Sequence, residues 1–263
     1  QALFGTHNLA ILNHYSINEE YEPGNDELYL NMGGKSFKNI SNFLKCNPGY
    51  GFGAVFTDVD NDNDLDIYLV NDFGENNEPN QILINQYPKL DFVNKSNELK
   101  LNVGLKSMGI GVGDYNNDSY LDYHVTNIFA GPFMVNRGKD KSFVNLAPNI
   151  GTGINKIEGY KEVKQVIIGW GSFFVDYDND TDLDLFNSNG PINPMTNRIP
   201  NILLENKGRF FDVCRDSGLM DFGIGRGSVH FDYDNDGDQD IFVVNQKPVY
   251  DMTYRGGTIK SKL

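Results

Sequence analysis

Short apolar runs, separated by polar turn residues, dominate the chain. Typical runs are "DIYLVN", "QILIN", "PFMVN", "NILLEN" and "DIFVVN", each five or six residues long. Runs of this length, rich in Val, Ile, Leu and Phe and bounded by Gly, Asn, Asp or Pro, predict β-strands rather than helices. No stretch approaches the roughly 18 consecutive apolar residues of a membrane-spanning helix. The pattern predicts an all-β protein without a membrane span.

The runs recur in a fixed order. Each repeat begins with a Gly-rich run, continues with an acidic loop and a second run, and ends with a third and a fourth run. The third run ends in an asparagine and the fourth has an early phenylalanine: Asn85 and Phe92, Asn136 and Phe143, Asn206 and Phe211. A β-sandwich is the alternative, but it does not predict one acidic loop for every four strands. The repeat favours a β-propeller of four-stranded blades.

Four to five blades are visible in what we expect to be a single domain, residues 1–263. The blades cover residues 50–100, 106–150 and 168–220, with partial blades at 8–45 and 225–263. We expect either that the terminal strands complete one blade or that the chain is a fragment of a larger ring. Gly-rich runs such as "GYGFGAVFTD" indicate first strands that pack close to their neighbours.

Four acidic loops have the form D-x-[DN]-x-D-x-x-x-D. They begin at residues 58, 114, 176 and 232, so their spacings are 56, 62 and 56. Two carboxylates about 4 Å apart repel by roughly 1 kcal/mol in water and roughly 4 kcal/mol at an effective dielectric constant of 20, so each loop needs a counter-charge. A disordered tail, a solvated loop or a helix N-cap would not explain the regular spacing beside strands. Calcium, which takes six to eight oxygen ligands, fits best, with up to four ions bound.

We expect the ligands to be the side chains at loop positions 1, 3, 5 and 9, with the backbone carbonyl at position 7. The candidate metal-binding residues are therefore Asp58, Asp60, Asp62, Asp64, Asp66, Asp114, Asn116, Asp118, Tyr120, Asp122, Asp176, Asp178, Asp180, Asp182, Asp184, Asp232, Asp234, Asp236, Asp238 and Asp240. An EF-hand would have Glu at position 12, where these loops have Leu69, Val125, Asn187 and Val243. The loops are thus predicted to lie in hairpins.

Position 6 is expected to require a positive φ, which Gly or Asn tolerates. The fourth loop has Gly237 there and the first has Asn63, whereas Ser119 and Thr181 occupy this position in the other two. A β-branched Thr would be strained at positive φ. The second loop also has the fewest acids. We expect affinity to decrease in the order fourth, first, third and second loop.

The strings "GFGAVFTDVDND", "GWGSFFVDYDNDTDLDLFNSNG" and "GRGSVHFDYDNDGDQDIFVVN" resemble FG-GAP/VCBS repeats, as in integrin α-subunits and secreted bacterial proteins. They look most like the cartilage-acidic-protein group, which carries ASPIC/UnbV domains. The resemblance covers about residues 8–246 and implies a calcium-binding propeller, commonly seven-bladed, with the family's ligand pattern at loop positions 1, 3, 5, 7 and 9. This chain departs from the family pattern at Asn116, Ser119 and Thr181. No ASPIC domain is visible after Asn245, which favours a fragment.

The net charge of −14 is explained mainly by the loops, which hold 18 of the 36 acidic residues. No basic stripe is present, so nucleic acid is not an expected partner. Extracellular calcium modules bind with dissociation constants of about 0.1–1 mM, so we expect an extracellular, cell-surface or periplasmic location. The sequence does not decide whether Cys46 and Cys214 form a disulfide bond or are free thiols.

No catalytic motif is present, so we do not expect an enzyme. His124, His230 and Trp170 are expected to have structural roles. Two insertions, residues 151–166 and 187–200, are candidate partner surfaces, since loops on rigid scaffolds often carry function. Three functions stay open: a module for binding, adhesion or assembly with a protein or carbohydrate partner; a subunit of an extracellular filament or surface layer, as a homo-oligomer; and a propeller enzyme acting on polysaccharide.

Overall fold

The computed structural model describes residues 22–140, 142–153, 167–192 and 199–246. These residues form three four-stranded antiparallel sheets, flanked along the chain by two two-stranded sheets. The all-β prediction is confirmed. The parts of the partial blades in residues 8–21 and 247–263 lie outside the described residues, as do residues 154–166 of the first insertion and 193–198 of the second.

The five sheets follow one another in chain order. Sheet I contains β1 (Tyr29–Asn31) and β2 (Phe37–Asn39). Sheet II contains β3 (Tyr50–Thr57), β4 (Asp66–Asp72), β5 (Gln81–Asn85) and β6 (Phe92–Asn94). Sheet III contains β7 (Ile110–Gly113), β8 (Asp122–Val125), β9 (Phe133–Asn136) and β10 (Phe143–Asn145). Sheet IV contains β11 (Gly169–Val175), β12 (Asp184–Asn189), β13 (Ile202–Asn206) and β14 (Phe210–Asp212), and sheet V contains β15 (Gly225–Phe231) and β16 (Asp240–Asn245).

Two single-turn α-helices follow the fourth strands of sheets II and III. They are α1 (Ser96–Leu99) and α2 (Ala147–Ile150), and each ends at a residue with positive φ, Lys100 at 61° and Gly151 at 95°. Two 3-10 turns lie at Ser41–Phe43 and Gly138–Asp140. No helix in the described ranges is long and apolar enough to cross a membrane.

Strand register confirms most of the predicted repeat. The asparagine that ends each third strand pairs with a phenylalanine of the fourth: Asn85 with Phe92, Asn136 with Phe143, and Asn206 with Phe210. The choice of Phe211 for the third repeat was therefore wrong by one residue. Adjacent strand residues point to opposite faces, so Phe210 is 4% exposed in the core while Phe211 is 54% exposed.

Consecutive sheets stack face to face and share apolar layers. In β4, Leu69 joins the layer beside sheet I, and the next-door Tyr68 joins the layer beside sheet III. In β12, Leu185 packs towards sheet III and Phe186 towards sheet V. The second strands of sheets II, III and IV are thus buried on both faces, which explains why apolar residues occur at successive positions along them.

The first strands of successive sheets approach each other closely at their glycines. A Cβ atom on Gly109, just before β7, would collide with the backbone carbonyl of Trp170 in β11. A Cβ atom on Gly171 would lie 2.8 Å from the backbone nitrogen of Ser228 in β15. These contacts confirm that the Gly-rich runs are first strands packed against their neighbours.

Candidate metal centres

Each acidic loop joins the first strand of a sheet to its antiparallel second strand. Thr57 pairs with Asp66 across the first loop, and Phe231 pairs with Asp240 across the fourth. Position 9 of every loop is the first residue of the second strand. The loops are therefore hairpin connections, as predicted, and they occupy the same end of each sheet.

The first aspartate of each loop shapes the turn. Asp58 accepts the backbone N–H of Asp62 on Oδ1 and that of Asn63 on Oδ2, both at 3.0 Å. The same two bonds, at 2.7–3.1 Å, are made by Asp114, Asp176 and Asp232. The carboxylate at position 5 then accepts the N–H of position 7 at 2.9–3.0 Å in all four loops. The four loops therefore share one backbone conformation.

Two positions in every loop have positive φ. At position 6 the φ values are 70° for Asn63, 70° for Ser119, 76° for Thr181 and 98° for Gly237, which confirms the predicted sharp turn. Position 4, which was not predicted, also has φ between 56° and 63°, at Asn61, Asn117, Asn179 and Asn235. Asparagine tolerates this region, whereas the β-branched Thr181 is strained there.

The aspartate at position 9 ties its loop to the rest of the sheet. Asp66 accepts the N–H of Val59 on Oδ2 at 3.0 Å and that of Asn85, the end of β5, on Oδ1 at 2.8 Å. Asp122 and Asp184 make the equivalent bonds to Asn136 and Asn206. The asparagine that ends each third strand is therefore a support for the loop.

Burial of these position-9 carboxyl groups disfavours their charged form. Burial raises the pKa of Asp66 and Asp122 to about 7 and that of Asp184 to about 6, although backbone hydrogen bonds oppose the change. A nearby cation would reverse this effect, because an opposite charge favours the ionised carboxylate.

Three loops bring enough carboxylates together to hold a metal ion. Potential ligand atoms lie within 4.8 Å of one another in three sets: Asp58, Asp60 and Asp62; Asp176, Asp178 and Asp184; Asp232, Asp234 and Asp240. Oxygen atoms at these separations can share a cation whose bonds to oxygen are about 2.3–2.6 Å long. The sets use only positions 1, 3, 5 and 9, which are the predicted side-chain ligands.

The second loop differs because Asn116 replaces an aspartate at position 3. Its amide donates to Asp118 Oδ2 at 3.0 Å, and its own oxygen accepts the N–H of Asp118 at 3.2 Å. Position 7 is Tyr120 instead of an aspartate. With fewer carboxylates, this loop offers a cation the weakest attraction of the four.

Neighbouring loops are joined through the asparagine at position 4. The Nδ2 of Asn61 donates to the carbonyl of Ser119 at 2.9 Å, linking the first loop to the second. Asn117 and Asn179 donate to the carboxylates of Asp182 and Asp238, at 3.0 and 2.8 Å. The side chains at position 7 of the third and fourth loops are thus engaged by the preceding loop, which leaves their carbonyls as the predicted ligands. The only sequence signal for this link was the recurrence of Asn at position 4.

Asp64 has an uncompensated oxygen in the first loop. Its Oδ1 is buried and accepts no hydrogen bond from the described residues. Burial, followed by repulsion from the other aspartates of the loop, raises its pKa. Buried carboxylate oxygens without a partner are costly, so this oxygen favours an added cation.

The third loop has a positive side chain of its own. Lys207 Nζ lies 3.2 Å from Asp180, 3.8 Å from Asp178 and 3.0 Å from Glu205. Hydrogen bonds to Glu205 and Asp180 raise the pKa of Lys207. This ammonium group partly neutralises the loop and would compete with a divalent ion.

The other residues singled out in the sequence have structural contacts. His124 Nδ1 pairs with Ser172 Oγ at 3.0 Å, and burial lowers its pKa to about 4. His230 Nδ1 pairs with the side-chain oxygen of Gln239 at 2.8 Å. Trp170 donates to the carbonyl of Gly190 at 2.8 Å, and the guanidinium of Arg226 lies 4.0 Å from its ring centre. The two cysteines are free thiols.

Comparison with protein-family models and with curated protein sequences yields no match. The likeness to FG-GAP/VCBS repeats and to the cartilage-acidic-protein group therefore stays a prediction based on the loop strings. The geometry that bears on function is that of the acidic loops, since three of them gather carboxylates closely enough for a cation.

Proposed function

We propose that this chain is a calcium-binding β-propeller module that acts outside the cell in binding, adhesion or assembly. The observation that carries the proposal is the recurrence of one acidic loop geometry in four successive sheets. The sheets follow one another in chain order, stack face to face and approach each other through their first strands. This is the arrangement expected of propeller blades.

The ligand chemistry favours calcium among the common metal ions. The acidic sets contain only carboxylates, without His or Cys. Zinc and copper prefer nitrogen or sulfur ligands, and magnesium demands a small, nearly octahedral site. Calcium accepts six to eight oxygens in flexible geometry, which suits a loop of alternating aspartates.

Calcium would contribute substantially to stability. At a calcium concentration ten times the dissociation constant, one site stabilises the fold by about 1.4 kcal/mol, and four sites by about 6 kcal/mol. That is comparable with the net stability of about 5–15 kcal/mol of a typical domain. Sites with the dissociation constants typical of extracellular calcium modules would be filled only where calcium is abundant. This supports a location outside the cell.

Thermal melting between a chelator and about 5 mM calcium tests the proposal, with magnesium as the control. About 6 kcal/mol corresponds to a rise in Tm of about 12–24 °C for a chain of this size. The matched variants are Asp60→Asn, which should reduce the calcium-dependent rise, and Asn116→Asp, which should increase it by improving the second loop. An equal rise in magnesium, or none in calcium, would contradict the proposal.

Assembly of several copies is the second candidate, and the outer face of sheet V favours it. Val229, Phe231 and Phe242 are 54%, 46% and 58% exposed. Their counterparts in sheet IV form the buried layer against sheet V: Phe173, Val175 and Phe186. Asn235, at position 4 of the fourth loop, donates no hydrogen bond within the described residues.

We infer that sheet V can receive another sheet of the same type, supplied by a second copy of the chain. Light scattering and electron microscopy in calcium would then show oligomers or filaments. Phe242→Ser should return the protein to monomers, whereas Phe211→Ser, which changes an exposed ring on sheet IV, should not. A monomer at all concentrations would exclude this candidate.

A further inference from the structure

A polar cavity lies in the core between sheets III and IV. Its volume is about 20 Å³, enough for one water-sized group, and its walls include His124, Phe129, Thr152, Asn187 and Asn189. β12 begins at Asp184, the last residue of the third acidic loop, and its later residues Asn187 and Asn189 line the cavity. The cavity is therefore separate from the metal loops, at the other end of the sheets.

Three side chains in the cavity wall have buried oxygens without a partner in the described part of the chain. These atoms are Thr152 Oγ1, Asn187 Oδ1 and Asn189 Oδ1, on residues that are 5%, 9% and 1% exposed. The orientation of the Asn189 amide is fixed, because its Nδ2 donates to the carbonyl of Pro200 at 2.9 Å. Buried polar atoms almost always have hydrogen-bond partners. The cavity therefore requires an occupant that donates hydrogen bonds.

The other repeats place apolar side chains at the equivalent positions. Position 12 of the repeat is Asn187 here, but it is Leu69, Val125 and Val243 in the others. Thr152 follows α2 and its positive-φ residue, and the corresponding residue after α1 is the fully buried Leu101. Apolar side chains occupy these two positions in the layer between sheets II and III. In the layer between sheets III and IV, hydrogen-bond acceptors occupy them instead. The substitution at both positions indicates a built site.

An exposed aromatic ring lies at the mouth of the cavity. Phe129 is 56% exposed and has a φ of 76°, a strained conformation for a bulky residue. Its counterpart Phe73 also has positive φ, but that ring packs against Tyr50 at 5.8 Å. The N–H of Phe129 donates to the carbonyl of Ile167 at 2.6 Å, which holds the backbone of Phe129 beside the cavity. Strained residues of this kind cluster at ligand sites.

We propose that this cavity binds one sugar unit of a neutral glycan. A sugar hydroxyl enters the cavity and donates to the oxygens of Asn187, Asn189 or Thr152, while the apolar face of the sugar ring lies on Phe129. The cavity walls contain no Asp, Glu, Lys or Arg in the described ranges, so a neutral ligand fits best. Apolar surface with a few well-placed polar groups is the usual composition of a small-molecule site. This inference goes beyond the proposed calcium binding and does not depend on it.

NMR titration of the calcium-loaded protein with methyl glucosides, galactosides and mannosides tests the inference. Binding of at least one glycoside, with a dissociation constant of about 1–10 mM, should shift the side-chain amides of Asn187 and Asn189 and the backbone signals of residues 126–131. Asn187→Leu restores the apolar residue of the other repeats and should weaken binding at least about tenfold, the loss of roughly 1.4 kcal/mol. Phe129→Ala should weaken it about fivefold, since ring contacts are lost.

Phe211→Ala is the matched control, because it removes an equally exposed phenylalanine away from the cavity. Its binding should be unchanged. The proposal is overturned if no glycoside shifts these signals at about 50 mM, far above the expected constant, or if Asn187→Leu binds as well as the parent. Either result would leave an ordered water as the only occupant. Thr152→Val replaces Asn187→Leu if melting shows that the latter is unfolded.

Discussion

Thr181 offers a direct test of the loop geometry. It holds a φ of 76° at position 6 of the third loop, and its side chain is exposed. A left-handed conformation costs an L-residue about 1–2 kcal/mol. Glycine removes that strain but loses about 0.5–1 kcal/mol through its larger freedom in the unfolded chain. Thr181→Gly should therefore stabilise the protein by about 0.5–1 kcal/mol.

The expected rise in Tm is about 1–4 °C, at roughly 2–4 °C per kcal/mol for a chain of this size. The fourth loop provides the reciprocal control, since Gly237 has a φ of 98° at the same position. Gly237→Thr should lower the Tm by at least as much. Differential scanning calorimetry in chelator isolates the backbone effect, and calcium titration then measures whether the relaxed third loop binds more tightly.

The reasoning is refuted if Thr181→Gly lowers the Tm while Gly237→Thr leaves it unchanged. That result would mean that the threonine side chain makes stabilising contacts that outweigh its backbone strain. Equal Tm values for both variants and the parent would mean that the loops are too mobile in solution to hold the positive φ.

Three further predictions concern charge and burial. Lys207→Met should raise the calcium affinity of the third loop about threefold or more, because a competing positive charge is removed; isothermal titration calorimetry that shows unchanged affinity would count against this. Burial raises the pKa of Asp72 to about 6, so its contribution to stability is lost as pH rises from about 4 through 6. Asp72→Asn should then be more stable than the parent by roughly 1–3 kcal/mol at pH 7 and no more stable near pH 4, as denaturant unfolding at both pH values would show. Burial also raises the pKa of Cys214 to about 12, so a thiol reagent at pH 8 should modify only the partly exposed Cys46 in the folded protein, and both thiols in denaturant.

The loops were largely predictable because their ligands are local in sequence. Alternating aspartates at positions 1, 3, 5 and 9 are close together in any tight hairpin, and position 6 needs a positive φ for the same local reason. In three of the four loops, the structure brings ligand atoms of three predicted residues within 4.8 Å of one another. In the second loop it shows Asn116 hydrogen-bonded to Asp118, while the lower affinity of this loop stays a prediction.

Other contacts of the loops could not be predicted from the sequence of a single repeat. The support of Asp66 by Asn85, the position-4 links between loops and the approach of Lys207 to the third loop all join residues from different strands or sheets. The wrong choice of Phe211 instead of Phe210 has a similar origin. The sequence does not distinguish these adjacent phenylalanines, and only the pairing of β14 with β13 shows which of them lies opposite Asn206.

The sequence by itself determined the strands, the repeat and the acidic loops, because each depends on composition and spacing within a few residues. The tertiary structure decided which faces of the sheets meet and therefore what is buried between them. The polar cavity of Thr152 and Asn187 arises from residues on either side of a sheet-to-sheet contact. Both residues replace apolar residues of the other repeats, but only the stacking of sheets III and IV buries their oxygens together, without a partner among the described residues.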